Sequence, residues 1–177
     1  MSKIKLLKRN YDCANKNAIR ERIIEIIKTY DIKSILTLES KDFLFSNLLP
    51  DKKIIVFERD KDIFKDMKKN KPKNVNLYKG EISEYSNLNG QVDCVYLDFC
   101  TNFKGAERTL QELKEVINKS KLFGVTLCLW DAYAKSYGDY QFALLSKLQQ
   151  IFNLKVLYGK GYKDSMSMIT ILFEVKK

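Results

Sequence analysis

A three-layer α/β sandwich is the fold class this sequence predicts, with a seven-stranded, mostly parallel sheet, helices on both faces and an antiparallel last strand. Three observations predict it. Apolar runs of strand length alternate with segments whose apolar residues recur every three or four positions, as strands alternating with amphipathic helices do. The run KIIVF (53–57) is apolar almost throughout, as strands buried on both faces of a parallel sheet are. The final two runs, 154–158 and 166–175, are joined by a glycine-containing connection and read as a hairpin.

The elements follow in order. Ala18, Ile19, Ile23, Ile26, Ile27 and Tyr30 place an amphipathic helix over 17–30, and SILTL (34–38) is a first strand. Residues 41–49 read as a helix that packs through Phe43, Leu44, Leu48 and Leu49 and stops at Pro50-Asp51. KIIVF is the second strand, and Asp60 is a suitable cap for a helix running to about Lys69. Residues 75–78 form a third strand, 81–86 a short turn or helix, and VDCVYL (92–97) a fourth strand. Leu110, Leu113, Val116 and Ile117 mark a helix over 105–119; a fifth strand (122–130) and a helix (140–152) precede the hairpin.

The chain has 177 residues and no Pro/Gly/Ser-rich linker, so one domain over 1–177 is expected, with residues 1–16 as an N-terminal extension. Its longest apolar run, 122–130, falls well short of the ~20 residues of a membrane-spanning helix. Residues 1–10 carry lysines with no apolar signal segment after them, so no membrane association and a cytoplasmic location are expected. There is no histidine and the four cysteines show no CxxC pairing, so no Cys/His metal site is expected, and histidine-based nucleophilic or general-base mechanisms are excluded. The net charge of +10 fits a polyanionic partner such as nucleic acid. Lysines outnumber arginines 27 to 5, so biased genome composition is a second source of that charge.

In open α/β sheets ligands bind outside the carboxyl ends of the strands, where strand order reverses. That rule selects Glu39 and Ser40 after the first strand, Glu58 after the second, Gly80 and Glu81 after the third, and Asp98 to Thr101 after the fourth. Three of these ends carry a carboxylate at once, at 39, 58 and 98.

The order of elements, with IIVFERD, LYKGEI and VDCVYLDFC at the second, third and fourth strand ends, resembles the class I S-adenosylmethionine-dependent methyltransferases over residues 17–177. The resemblance implies S-adenosylmethionine as cofactor, with Glu58 accepting hydrogen bonds from the ribose hydroxyls. Read from the residues alone, Glu58 also suits pairing with Arg59, Lys61 or solvent. Glu81, after Gly80, matches the residue near the adenine amino group; a place in the first turn of a helix is its other reading.

At the fourth strand end, the resemblance to amino-group methyltransferases makes Asp98 the acceptor that orients a target amine and Phe99 the aromatic face that stacks a base. Alignment of the amine lone pair supplies most of the acceleration in such a reaction. The prolines of that motif are absent, which leaves Asp98 a second role as a contact to the cofactor's amino group. Cys100 raises the cytosine-C5 type of mechanism, in which a cysteine is the nucleophile, but its preceding proline is also absent.

The first loop departs furthest from the family pattern. LTLESKDF contains no glycine, and the first glycine of the chain is Gly80, so Thr37, Glu39 and Ser40 are left to contact the cofactor, with Glu39 placed to hold the methionyl amine. Two late stretches, YAKSYGDYQF (133–142) and YGKGYK (158–163), mix aromatics with lysine as base-stacking surfaces do, or as rings packed beneath a helix do. The expected function is methylation of an amino group of nucleic acid. A catalytically inactive relative that binds nucleic acid or protein is the alternative, and a small-molecule methyltransferase a third, which predicts an enclosed pocket without a continuous basic rim.

Overall fold

A computed structural model describes residues 14–88, 90–129, 137–163 and 166–177. Helix α1 (Ala14–Thr29) leads into β1 (Ser34–Thr37), β2 (Lys53–Glu58), α2 (Lys61–Asn70), β3 (Val75–Lys79) and β4 (Cys94–Asp98). Then come α3 (Phe103–Glu112), α4 (Lys114–Lys119), β5 (Leu122–Cys128), α5 (Tyr137–Ile151), β6 (Leu154–Lys163) and β7 (Ser167–Val175). The seven strands form one sheet in the order β3-β2-β1-β4-β5-β7-β6. The pairs β1–β2, β2–β3, β1–β4 and β4–β5 are parallel and the last strand is antiparallel, as the sequence predicts; β7 lies between β5 and β6.

Period-two alternation divides the core between the two faces of this sheet. Ile35, Ile54, Val56, Cys94 and Tyr96 pack with Ile23 and Ile27 of α1 and Met67 of α2. Leu36, Ile55, Phe57, Val95 and Leu97 pack on the other face, with Leu110 of α3, Ile117 of α4 and Leu148 of α5. Among the described residues no helix is long and apolar enough to cross a membrane.

Several predicted boundaries hold. Asp60 caps α2, its Oδ1 accepting the N–H groups of Asp62 at 2.8 Å and Ile63 at 2.9 Å. Others are corrected. The helix expected over 41–49 is absent, and only a 3-10 helix, Ser46–Leu48, forms there. Phe43, Phe45 and Leu49 are all buried, and Phe43 takes a left-handed backbone (φ 49°), so burial of these side chains overrides local helical spacing. The helix over 105–119 breaks at Leu113 into α3 and α4, with Asn102 accepting the Gly105 N–H at its start. Strand β6 continues past Tyr158 to Lys163, taking in Gly159 and Gly161, and α5 begins at Tyr137.

Gly124 is required by its neighbour across the sheet. It pairs with Tyr96, and a Cβ at Gly124 would lie 2.5 Å from Tyr96 Cδ2. The Tyr96 ring has little room to yield, because Phe45 stacks on it with centroids 4.8 Å apart and its hydroxyl lies 3.3 Å from Thr126 Oγ1. Gly124→Ala is therefore expected to cost about 1–3 kcal/mol of overpacking, read as a lowered urea midpoint; an unchanged midpoint would show that the ring moves freely.

Candidate functional site

Strand order reverses between β1 and β4: the chain goes from β1 outward to β2 and β3, then returns to place β4 on the other side of β1. Ligands of open α/β sheets lie in the crevice outside such a pair of carboxyl ends. Because α1 runs into β1 through a short turn, its first turns lie at this same rim. Lys16 and Arg20 stand one helical turn apart on one face of this part of α1, and Lys16 reaches the end of β4.

Lys16 Nζ lies 2.7 Å from Asp98 Oδ2, and both side chains are largely withdrawn from solvent, at 15% and 22% exposure. Asp98 Oδ1 is sealed from solvent and accepts no hydrogen bond among the described residues. A carboxylate oxygen so placed carries a desolvation penalty of about 1–3 kcal/mol or more that a donor would relieve. The expected N-terminal extension, 1–16, thus ends inside α1; residues 1–13 lie outside the described residues.

Glu39, just past β1, is half-buried. Its Oε1 accepts the Ser46 N–H at 2.7 Å and the Ser46 hydroxyl at 2.6 Å. Burial raises its carboxyl from the ordinary 4.5 to about 7, against the opposing pull of the hydrogen bonds from Ser46 and Phe45 and of the Arg20 charge. The loop between them turns without glycine: Phe43 donates its N–H to the Ser40 carbonyl at 3.1 Å, and Asn47 donates to Phe43 at 2.9 Å. Glu39 therefore organises this loop through Ser46, and Ser40 serves it through its backbone.

At the neighbouring strand ends, Glu58 is half-buried and its Oε1 accepts the Asp60 N–H at 2.6 Å. The Gly80 N–H donates to the Glu58 carbonyl at 3.1 Å, tying the loop after β3 to the end of β2. Gly80 has φ 147°, and a Cβ there would lie 2.6 Å from Glu84 Oε2. Glu84 Oε1 accepts the Glu81 N–H at 2.8 Å, so Glu84 caps the 3-10 helix Ile82–Leu88 from inside. The Glu81 side chain is 56% exposed and pairs with Arg59 at 3.3 Å, a contact worth about 0–1 kcal/mol in solvent.

The residues after β4 do not share one site. Asp98 continues the side of Cys94 and Tyr96, where α1 lies, whereas Phe99 packs in the core of the opposite face with Phe103 and Leu129. Adjacent residues of an extended chain point to opposite faces, so the Phe99 ring does not accompany Asp98. Cys100 is exposed and forms no disulfide among the described residues. The YGKGYK stretch is the end of β6, with Tyr162 buried and Tyr158 half-buried. Of the YAKSYGDYQF stretch, residues 133–136 and the side chains of 137–140 lie outside the described residues, and Phe142 is 73% exposed on α5. No group of three or more His, Cys, Asp or Glu that could hold a metal ion occurs among the described residues.

Three residues of this arrangement, Lys16, Arg20 and Ser46, escape the sequence reading. A signal for the first two exists: they stand four apart in a helix that must begin at the carboxyl rim. Ser46 carries none, because its partner is set by the loop's tertiary path.

No family model matches the sequence, and no curated protein matches it. Solved structures do match. The putative methyltransferase yhhF from Escherichia coli superposes with a TM-score of 0.62 at 12% identity, covering 93% of this chain and 87% of that one. The Methanococcus jannaschii fibrillarin pre-rRNA processing protein gives 0.61 at 14% identity, covering 82% and 68%. The N-terminal domain of EvdMO1, crystallised in the presence of SAH and D-fucose, gives 0.61 at 12% identity, covering 89% and 82%. The strand order and these superpositions show a class I methyltransferase-like fold.

Proposed function

We propose that this chain is an S-adenosylmethionine-dependent methyltransferase acting on an amino group, with nucleic acid as the acceptor. Asp98 Oδ1 carries the reading. It is an acceptor sealed from solvent at the switch point of the sheet, and it has no donor among the described residues. A target amine donating one N–H to Oδ1 gains a charge-assisted hydrogen bond and has its lone pair aimed across the crevice. No strong base is needed, which suits a chain without histidine. Bound in the crevice, S-adenosylmethionine would supply the electrophilic methyl group.

The residues at the rim fit that cofactor in part. Glu58, fixed by the Asp60 N–H, is a carboxylate at the β2 end suited to a vicinal diol, while Gly80 and Glu81 stand beside it at the β3 end. A net charge of +10 favours a polyanionic acceptor. One observation favours a second reading, a non-catalytic binding module: Lys16 holds Asp98, and the first loop is closed on itself through Glu39 and Ser46.

Calorimetric titration of S-adenosylmethionine and S-adenosylhomocysteine separates the two. Under the enzyme reading the native chain binds at micromolar affinity, and Glu58→Ala weakens binding about tenfold or more, the loss of hydrogen bonds to a charged group of about 1.5–3 kcal/mol. Absence of binding by the folded native chain would move the assignment to the binding module. Asp98→Ala keeps cofactor binding if Asp98 serves the acceptor, and loses it if Asp98 contacts the cofactor instead.

A further inference from the structure

The positive charge of the chain is not shared evenly between the two ends of its sheet. In the loops that leave β1 to β4 at the crevice, residues 38–46, 58–61, 79–84 and 98–104, seven carboxylates stand against five cations. The opposite end is made by the segments that lead into β1 to β5 and by the residues that end β7: 28–33, 51–53, 68–73, 90–93, 119–121 and 174–177. These carry twelve lysines against four carboxylates. A biased genome composition would load both ends alike, so it does not account for the difference.

The four carboxylates are already matched. Asp31 pairs with Lys33 and Lys121, Asp51 with Lys52, Asp93 with Lys121 and Glu174 with Lys155. Helix C-termini favour cations, which accounts for Lys28, Lys68 and Lys119 in the last turns of α1, α2 and α4. Neither cause covers Lys53, Lys73 and Lys176. They are exposed, they stand at the start of β2, just before β3 and just past β7, and among the described residues they enter no ion pair.

The six segments meet six neighbouring strands of the sheet, in the order β3-β2-β1-β4-β5-β7. At about 4.8 Å between strands the row is about 24 Å long, the length of about seven base-pair steps. Among the described residues, no large apolar or aromatic side chain is exposed within these segments. Single strands are held by stacking on exposed aromatics, and membrane surfaces take apolar anchors as well as charge. A row of cations alone suits the phosphates of a duplex.

We propose that this end of the sheet is a docking surface for duplex nucleic acid, held by its phosphates irrespective of base sequence, with counterion release as the driving force. The inference goes beyond the acceptor reading above, because a duplex docked here lies at the far end of the strands from Asp98, and it does not require the crevice to be catalytic.

Fluorescence anisotropy with a labelled DNA duplex of two helical turns, between about 50 and 200 mM salt, tests it. The triple variant Lys53→Gln, Lys73→Gln, Lys176→Gln is expected to bind about tenfold or more weakly at the low-salt end and to flatten the slope of log affinity against log salt by about three. The triple variant Lys41→Gln, Lys79→Gln, Lys104→Gln removes the same charge from the crevice end and should change both far less. Equal effects of the two, a larger effect at the crevice end, or no binding by the native chain overturns the proposal. A single strand, phosphatidylserine vesicles and polyglutamate are the rival ligands, and tighter binding of any of them than of the duplex overturns it as well. Thermal melts of both variants show whether a loss of binding is a loss of folding. Titration of S-adenosylhomocysteine should give the same result in the native chain and in the first variant, so this proposal and the crevice reading fail separately.

Discussion

Glu39→Gln is expected to be more stable than the native chain by about 2–3 kcal/mol at pH 8 and to lose the native dependence of stability on pH between 5 and 7. The Glu39 carboxyl is raised from 4.5 to about 7, chiefly by burial. The native state thus keeps a proton that the unfolded chain releases near 4.5. Between these values the folded protein binds more protons than the unfolded one, so stability falls as pH rises. The contribution is fully present below about 4.5 and is lost as pH passes through 7. Glutamine is neutral throughout, and its amide oxygen can still accept from the Ser46 N–H and hydroxyl.

The window is unusually clear for such a measurement. The chain has no histidine, the lowered carboxyls of Asp60 and Asp93 exchange protons at lower pH, and burial pushes the Cys94 thiol far upward. Urea unfolding of both proteins at pH 5, 6, 7 and 8 reads the effect directly. Equal slopes in the two proteins would sink the assignment of this titration to Glu39. The Arg20 charge is among the factors that hold the Glu39 carboxyl down, so Arg20→Met should carry the decline in stability to higher pH through the same linkage.

How far the sequence reveals this arrangement depends on how local each cause is. The strand-end acids are visible because strands announce themselves by apolar runs and the crevice rule then points at whatever follows. Asp98 and Phe99 show what that rule omits. Counting by twos from Cys94 through Tyr96 puts Asp98 on the α1 face and Phe99 on the other, so the split is legible from alternation continued past the strand end. The Lys16–Asp98 pair is not, since two residues distant in sequence meet only once the helix direction and strand order are both known. Residues 41–49 misled for a physical reason: Phe43, Leu44 and Leu48 satisfy helical spacing, yet what decides the segment is the burial of Phe43 and Phe45 and the pull of Glu39 on Ser46.

Phe43 carries the second large expected effect. Its side chain is 1% exposed within the α1-side core, and its backbone sits at φ 49°, a region that costs most residues about 1–2 kcal/mol relative to glycine. Phe43→Ala empties the ring's site and keeps the strained backbone, so a loss of about 3–5 kcal/mol is expected. Phe43→Gly empties the same site but relaxes the backbone, so it should be more stable than Phe43→Ala by about 1 kcal/mol. That order reverses the usual one, in which glycine is the more damaging replacement, and urea midpoints of the two variants at pH 6 decide it. If alanine proves the better replacement, the left-handed turn is not what holds this loop. If glycine does, position 43 has two separable parts, a ring that packs beneath the crevice and a backbone turn that a glycine would supply more cheaply. The presence of phenylalanine where the backbone favours glycine is then explained by the ring: the packing lost with Phe43 exceeds the strain of keeping it.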